Sequence, residues 1–155
     1  MPIARRTILV AILTALCAPM AASAAETRVP AEAVAMVKRV LEKFQTDGPE
    51  ATFKAVTDKS SPEFHDGDLY PFVFDLNGVI VATGARANMV GMSLFSLKDQ
   101  DGRYLVREMI AVAQGPGSGW LEYKWPNPQT NKIEAKRSYI ERMGDYVVGV
   151  GIWKH

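Results

Sequence analysis

Cysteine is nearly absent from this 155-residue chain: Cys17 is the only one, and it falls within the first 25 residues. No disulfide framework can hold the fold, so a hydrophobic core must do so. Histidine is scarce as well, with only His65 and His155. Two imidazoles and one early thiol offer no ligand set for zinc, and neither a metal nor a cofactor is expected. There is no Gly-x-Ser-x-Gly elbow, and although Ser61 and His65 are close in sequence, no third group stands ready to orient them. Catalysis is therefore not expected. An excess of one charge is missing too, since 18 Lys and Arg stand against 17 Asp and Glu and are scattered along the chain. Without a basic footprint, nucleic acid is excluded as a partner. After residue 25 no apolar run is long enough to cross a bilayer.

What is present begins with a leader. Arg5 and Arg6 precede a nearly uninterrupted apolar run from Thr7 to Met20, and Ala22-Ser23-Ala24 follows as a small-x-small cleavage site. These are the parts of a secretory signal peptide over residues 1–24, with an uncleaved membrane anchor as the lesser alternative. The apolar run is shorter than the ~20 residues of a membrane span. Loss of the leader removes Arg5 and Arg6, leaving 16 basic residues against 17 acidic ones. Residues 25–155 are long enough for one domain, exported to the periplasm or beyond.

Pro30 and the run AEAVAMVKRVLEKFQ predict a long helix with proline in its first turn and an apolar stripe at Val34, Val37, Leu41 and Phe44. Asp47-Gly48-Pro49 stops that helix and starts another, Glu50 to Thr57. A turn-rich connection then leads to an aromatic strand, Leu69 to Phe74, with Tyr70, Phe72 and Phe74 on one face. Asp75-Leu76-Asn77-Gly78 turns the chain into a return strand, Val79 to Thr83. Gly84 to Lys98 reads as a loop with one helical turn, and Arg86, Asn88 and Met89 are placed to cover a pocket mouth. Asp99-Gln100-Asp101-Gly102 lacks the distant Glu of a calcium loop and is read as a plain turn. The spacing Leu105, Met109, Val112 gives an amphipathic helix that Gly115-Pro116-Gly117 ends.

The stretch Gly115 to Ile140 carries a second hairpin, turned at Pro126 to Asn131. Leu121, Tyr123 and Trp125 share one face of its first strand, and the second strand brings Lys136 and Tyr139 back opposite them. A cation, phenols and indole together can form the wall of a small-molecule pocket. The last run, Tyr146 to Trp153, is apolar on both faces and so reads as a buried strand. Gly149 and Gly151 on one side of it open space for a neighbouring helix or a ligand. Hairpins dominate the order, so the expected fold is α+β, an antiparallel sheet of about five strands with helices packed around it.

The succession YPFVFDLNGVIVATG, NMVGMSLFSLKDQDG, GPGSGWLEYKWPNP, KRSYI and GDYVVGVGI resembles the single Cache domain of the second type, over about Glu32 to Lys154. That family comprises PAS-like extracytoplasmic sensor modules of bacterial chemoreceptors and histidine kinases. The resemblance implies a PAS-like sheet, a long N-terminal helix along it, and a pocket for small ligands, often short carboxylic acids. It maps the aromatic first strand onto Tyr70, Phe72 and Phe74, a Tyr-x-Trp onto Tyr123 and Trp125, and a Lys-x-x-Tyr onto Lys136 and Tyr139. With only a leader before the domain and no output segment after it, a free-standing exported form is expected. The expected function is to bind a short-chain carboxylate or similar anion and so contribute to signal transduction or chemotaxis. Lys136 would pair with the carboxylate, Tyr123 or Tyr139 would donate a hydrogen bond, and Phe72, Phe74 and Trp125 would enclose the apolar end. The expected partners are the small organic acid, a membrane receptor or histidine kinase, and a second copy in a homodimer. The alternative is a non-catalytic interaction module that dimerises or docks on a receptor through its N-terminal helix.

Overall fold

The computed structural model describes residues 29–154, so the expected signal peptide and His155 lie outside the described residues. Helix α1 (Pro30–Thr57) begins with proline in its first turn, where a missing N–H loses no bond, and Glu32 lies near the positive end of the helix dipole. At Gly48 the backbone leaves helical space, with φ 82° and ψ 175°, and Pro49 starts a new segment. A positive φ carries no side-chain penalty in glycine, which is why Asp47-Gly48-Pro49 marks this kink in the sequence. Thr52 donates a 2.8 Å hydrogen bond to the Gly48 carbonyl, satisfying a group left by the break.

Five strands follow: β1 (Pro71–Asp75), β2 (Ile80–Thr83), β3 (Ser118–Asn127), β4 (Lys132–Met143) and β5 (Tyr146–Trp153). They form one antiparallel sheet in the order β2-β1-β5-β4-β3. The fold is α+β and PAS-like, as the sequence predicts. Helix α2 (Leu105–Gln114) connects the two halves of the sheet. The Asp75 carboxylate accepts from the N–H groups of Asn77 (2.9 Å) and Val79 (2.8 Å), fixing the β1–β2 turn. β1 starts two residues later than expected, because Leu69 bridges back to Asp66 and Tyr70 stands outside the ladder.

Alternation along β5 divides the molecule. Val148, Val150 and Ile152 point to one face, where they meet Val73 of β1 and Ala33, Met36, Val37 and Val40 of α1 in a continuous core. The helix stripe is thus centred one residue earlier than the periodicity predicts, with Leu41 and Phe44 partly buried at its margin. It covers the sheet. The other face of β5 carries Val147, Gly149, Gly151 and Trp153, and it lies under α2 and the 84–98 loop. The two glycines are there because their neighbours cross the sheet surface. A methyl group on Gly149 would run into the Phe72 ring and approach Ile140 Cδ1 at 2.8 Å, and one on Gly151 would strike Lys136 Cε and come within 2.6 Å of Ser138 Oγ. Gly149→Ala is therefore expected to lower stability by about 1–3 kcal/mol, the usual range for overpacking a filled core. Urea unfolding measures this, and an unchanged midpoint would show that Phe72 yields without cost.

Candidate ligand site

A cavity of about 70 Å³ lies between the glycine-bearing face of the sheet and the elements above it. Phe72 and Phe74 of β1, Tyr123 and Trp125 of β3, and Lys136 of β4 line its sheet side. Leu105, Val106 and Met109 of α2 cover it, joined by Met89 and Leu94 from the loop. Tyr70, Thr83 and Ala85 complete one end. The loop is fastened to α2 by Arg107, whose guanidinium sits 4.5 Å from the Phe95 ring and 3.9 Å from the Tyr104 ring and donates to the Phe95 carbonyl at 2.9 Å. For scale, an apolar cavity of about 150 Å³ accommodates benzene, so the space here suits about three to five heavy atoms.

Five of the six expected site residues, Phe72, Phe74, Tyr123, Trp125 and Lys136, meet in this cavity. The sixth does not. Tyr139 lies on the α1 side, its ring 5.4 Å from that of Trp120, with which it pairs across β3 and β4. The reason is the pleat: residues three apart on a strand point to opposite faces, so Lys136 and Tyr139 cannot share a wall. Arg86 and Asn88 are exposed beside the mouth, and only Met89 of that trio reaches the lining. Ser138 was not foreseen, yet it stands two residues from Lys136 and therefore on the same face. It is fully buried, and its hydroxyl lies 2.8 Å from that of Tyr123. When Ser138 donates within this pair, the Tyr123 hydrogen is free to be aimed into the cavity.

Lys136 is the unusual member. It is 3% exposed, and no ion pair to it occurs among the described residues. Its Nζ donates to the Tyr70 hydroxyl at 3.2 Å and lies 4.7 Å from the Tyr70 ring centre and 4.5 Å from that of Trp153. Cation–π contact and one phenol replace only part of the lost water. Burial pushes the ammonium pKa down to about 8, and the Asp68 carboxylate pulls the other way without prevailing. Burial also holds the Tyr70 and Tyr123 phenols above their ordinary range, so both remain neutral donors at neutral pH. His65, close to Ser61 in sequence, places Nδ1 3.2 Å from the Ser61 backbone carbonyl. Among the described residues no cluster of His, Cys, Asp or Glu is arranged to hold a metal ion.

The model of the family described as Single Cache domain 2 matches residues 24–153. The chain belongs to this family. Among curated proteins, it is 33% identical over 88 residues to the sensor histidine kinase MctS of Rhizobium johnstonii, covering 56% of this chain and 19% of that protein. It is 29% identical over 91 residues to the methyl-accepting chemotaxis protein McpP of Pseudomonas putida, covering 57% of this chain and 17% of that protein. Each match thus takes in less than a fifth of the relative. A solved Cache chemosensory domain, described as recognising carboxylic acids, superposes with a TM-score of 0.63 at 20% identity, covering 81% of this chain and 88% of that one. At that identity the likeness is one of fold. Cache domains are extracytoplasmic sensor modules, and among the described residues no helix is long and apolar enough to cross a membrane.

Because the folded pKa of Lys136 lies below the ~10.4 of an unfolded lysine, the unfolded chain binds more protons between those values. Ligand-free stability should therefore be lowest below about pH 8 and rise as pH climbs from about 8 toward 10.4. Lys136→Met, which removes the buried charge at similar volume, is expected to stabilise the ligand-free protein by roughly 1–3 kcal/mol below pH 8. Chemical denaturation at two pH values tests both statements, and a destabilised Met variant would contradict them.

Proposed function

We propose that this Cache domain binds a short-chain carboxylate in the 70 Å³ cavity and acts as the sensing part of a signal-transduction or chemotaxis system. The observation that carries the proposal is Lys136, an ammonium in an apolar cavity without an ion pair among the described residues. An anion completes the charge balance that the fold leaves open. Lys136 pairs with the carboxylate, the Tyr123 hydroxyl donates to it, and Phe72, Phe74 and Trp125 enclose the alkyl end. The family's non-catalytic sensor role supports this assignment, as does its use in a chemotaxis protein and a sensor kinase. A membrane receptor or histidine kinase is the proposed downstream partner.

Magnitudes bound the affinity. A ligand of about five heavy atoms gains at most ~1.5 kcal/mol per atom, which places Kd in the micromolar range or weaker. The competing assignment, a docking module that uses α1, draws less support because the helix's apolar stripe is already spent on the sheet.

Titration calorimetry with acetate, propionate and butyrate, and with the corresponding amides as neutral controls, tests the proposal. The acids are expected to bind and the amides not to bind. Lys136→Met should abolish acid binding while leaving the protein folded. Affinity should also fall as pH rises through about 8, where the ligand-free lysine loses its proton. Unchanged binding by Lys136→Met would overturn the assignment.

A further inference from the structure

We propose that Tyr70 is a specificity-determining partition that restricts this domain to acids whose whole length fits the inner cavity. The inference rests on the carboxylate assignment above and adds a residue and a size limit to it. Outside the cavity lies a separate groove of about 290 Å³, bordered by Lys59, His65, Asp68, Gln129 and Trp153. Tyr70 and Ala85 line both spaces. The Lys136 ammonium sits directly behind the Tyr70 and Trp153 rings, so it stands at the boundary between the two. A carboxylate on Lys136 has two directions for its tail. Inward, it meets the small, mostly apolar space suited to a few heavy atoms. Outward, it meets the Tyr70 ring.

The ring is held in that position from three sides. Pro71 follows Tyr70 and confines its backbone to extended conformations. Gly84 lies against it so closely that a methyl group there would come within 2.7 Å of Tyr70 Cβ and 2.6 Å of His65 Nε2. Its hydroxyl accepts from Lys136 at 3.2 Å. Removal or rotation of the ring would join the two spaces, and the outward path then leads along Ala85 and Trp153 into the groove.

The test is titration calorimetry of straight-chain acids from acetate to octanoate against the wild type, Tyr70→Phe, Tyr70→Leu and Tyr70→Ala, each first shown to be folded by thermal unfolding. Wild-type affinity should rise by up to about fourfold per added methylene while the tail fits inward, and then fall by about tenfold or more by hexanoate. Tyr70→Phe keeps a ring and should keep that fall. Tyr70→Ala should remove it, binding hexanoate about tenfold or more tighter than wild type does. Tyr70→Leu, which retains apolar packing, serves in its place should the Ala variant not fold. If the wild type takes octanoate as well as butyrate, or the Ala and Leu variants keep the wild-type length profile, the partition is wrong and the carboxylate site stands. If the wild type binds no acid of the series, both fail together.

Discussion

An ammonium group held away from water sets the terms for the rest of this structure. Hydration of a charged amine is worth far more than one phenol and two aromatic rings return, and its lowered pKa records the shortfall. A sequence selected for stability alone would place Met or Leu at this point of the sheet. The fold instead clears a path for the lysine: Gly151 lacks the side chain that would strike Cε, and Ser138 and Tyr123 satisfy one another beside it. On the proposed assignment, an anion in the cavity would supply what this ammonium lacks.

One strand produces both the solid and the hollow half of the molecule. β5 alternates so that Val148, Val150 and Ile152 feed a filled core under α1, while Gly149, Gly151 and Trp153 face the cavity. A helix closes the first face and a helix with a loop closes the second, and the difference between them is side-chain volume on alternate residues. The rigid face gives the cavity a fixed floor. The roof, built from α2 and a loop fastened by Arg107, is where the fit to a ligand can adapt, since Met89 and Met109 are its unbranched, adaptable members.

Much of this was legible in the chain because local chemistry and tertiary structure agree. Asp75 to Gly78 turns the chain as expected, and the Gly48-Pro49 break appears at the residue where it was expected. The second turn is shorter than expected, because Pro126 and Asn127 still pair with β4 and only residues 128–131 reverse the chain. Gly149 and Gly151 announced a space, and the space is occupied by Phe72, Lys136 and the ligand cavity. Tyr139 falls on the other face because the strand reading set it beside Lys136 without applying the two-residue pleat, and the family motif repeated that pairing. Ser138 was open to that same pleat and passed over, since a serine between a cation and an aromatic draws no attention by type. Tyr70 was grouped with the strand, whereas it precedes β1 and its ring lines one end of the cavity. Strand order could not be read at all, because pairing of β1 with β5 links residues more than 70 apart and leaves no local trace.

That pairing has a bearing on how the chain assembles. The middle of the sheet is supplied by the strand that comes last in sequence, so the β1–β2 and β3–β4 hairpins have no common neighbour until β5 inserts between them. Contacts of such long sequence separation slow folding, and the two hairpins wait with their inner edges unpaired. The cavity, whose walls come from both hairpins, exists only once that final insertion is made. A nascent or partly degraded chain lacking β5 would thus be silent toward ligand rather than weakly responsive, so that sensing is confined to molecules that have completed their fold.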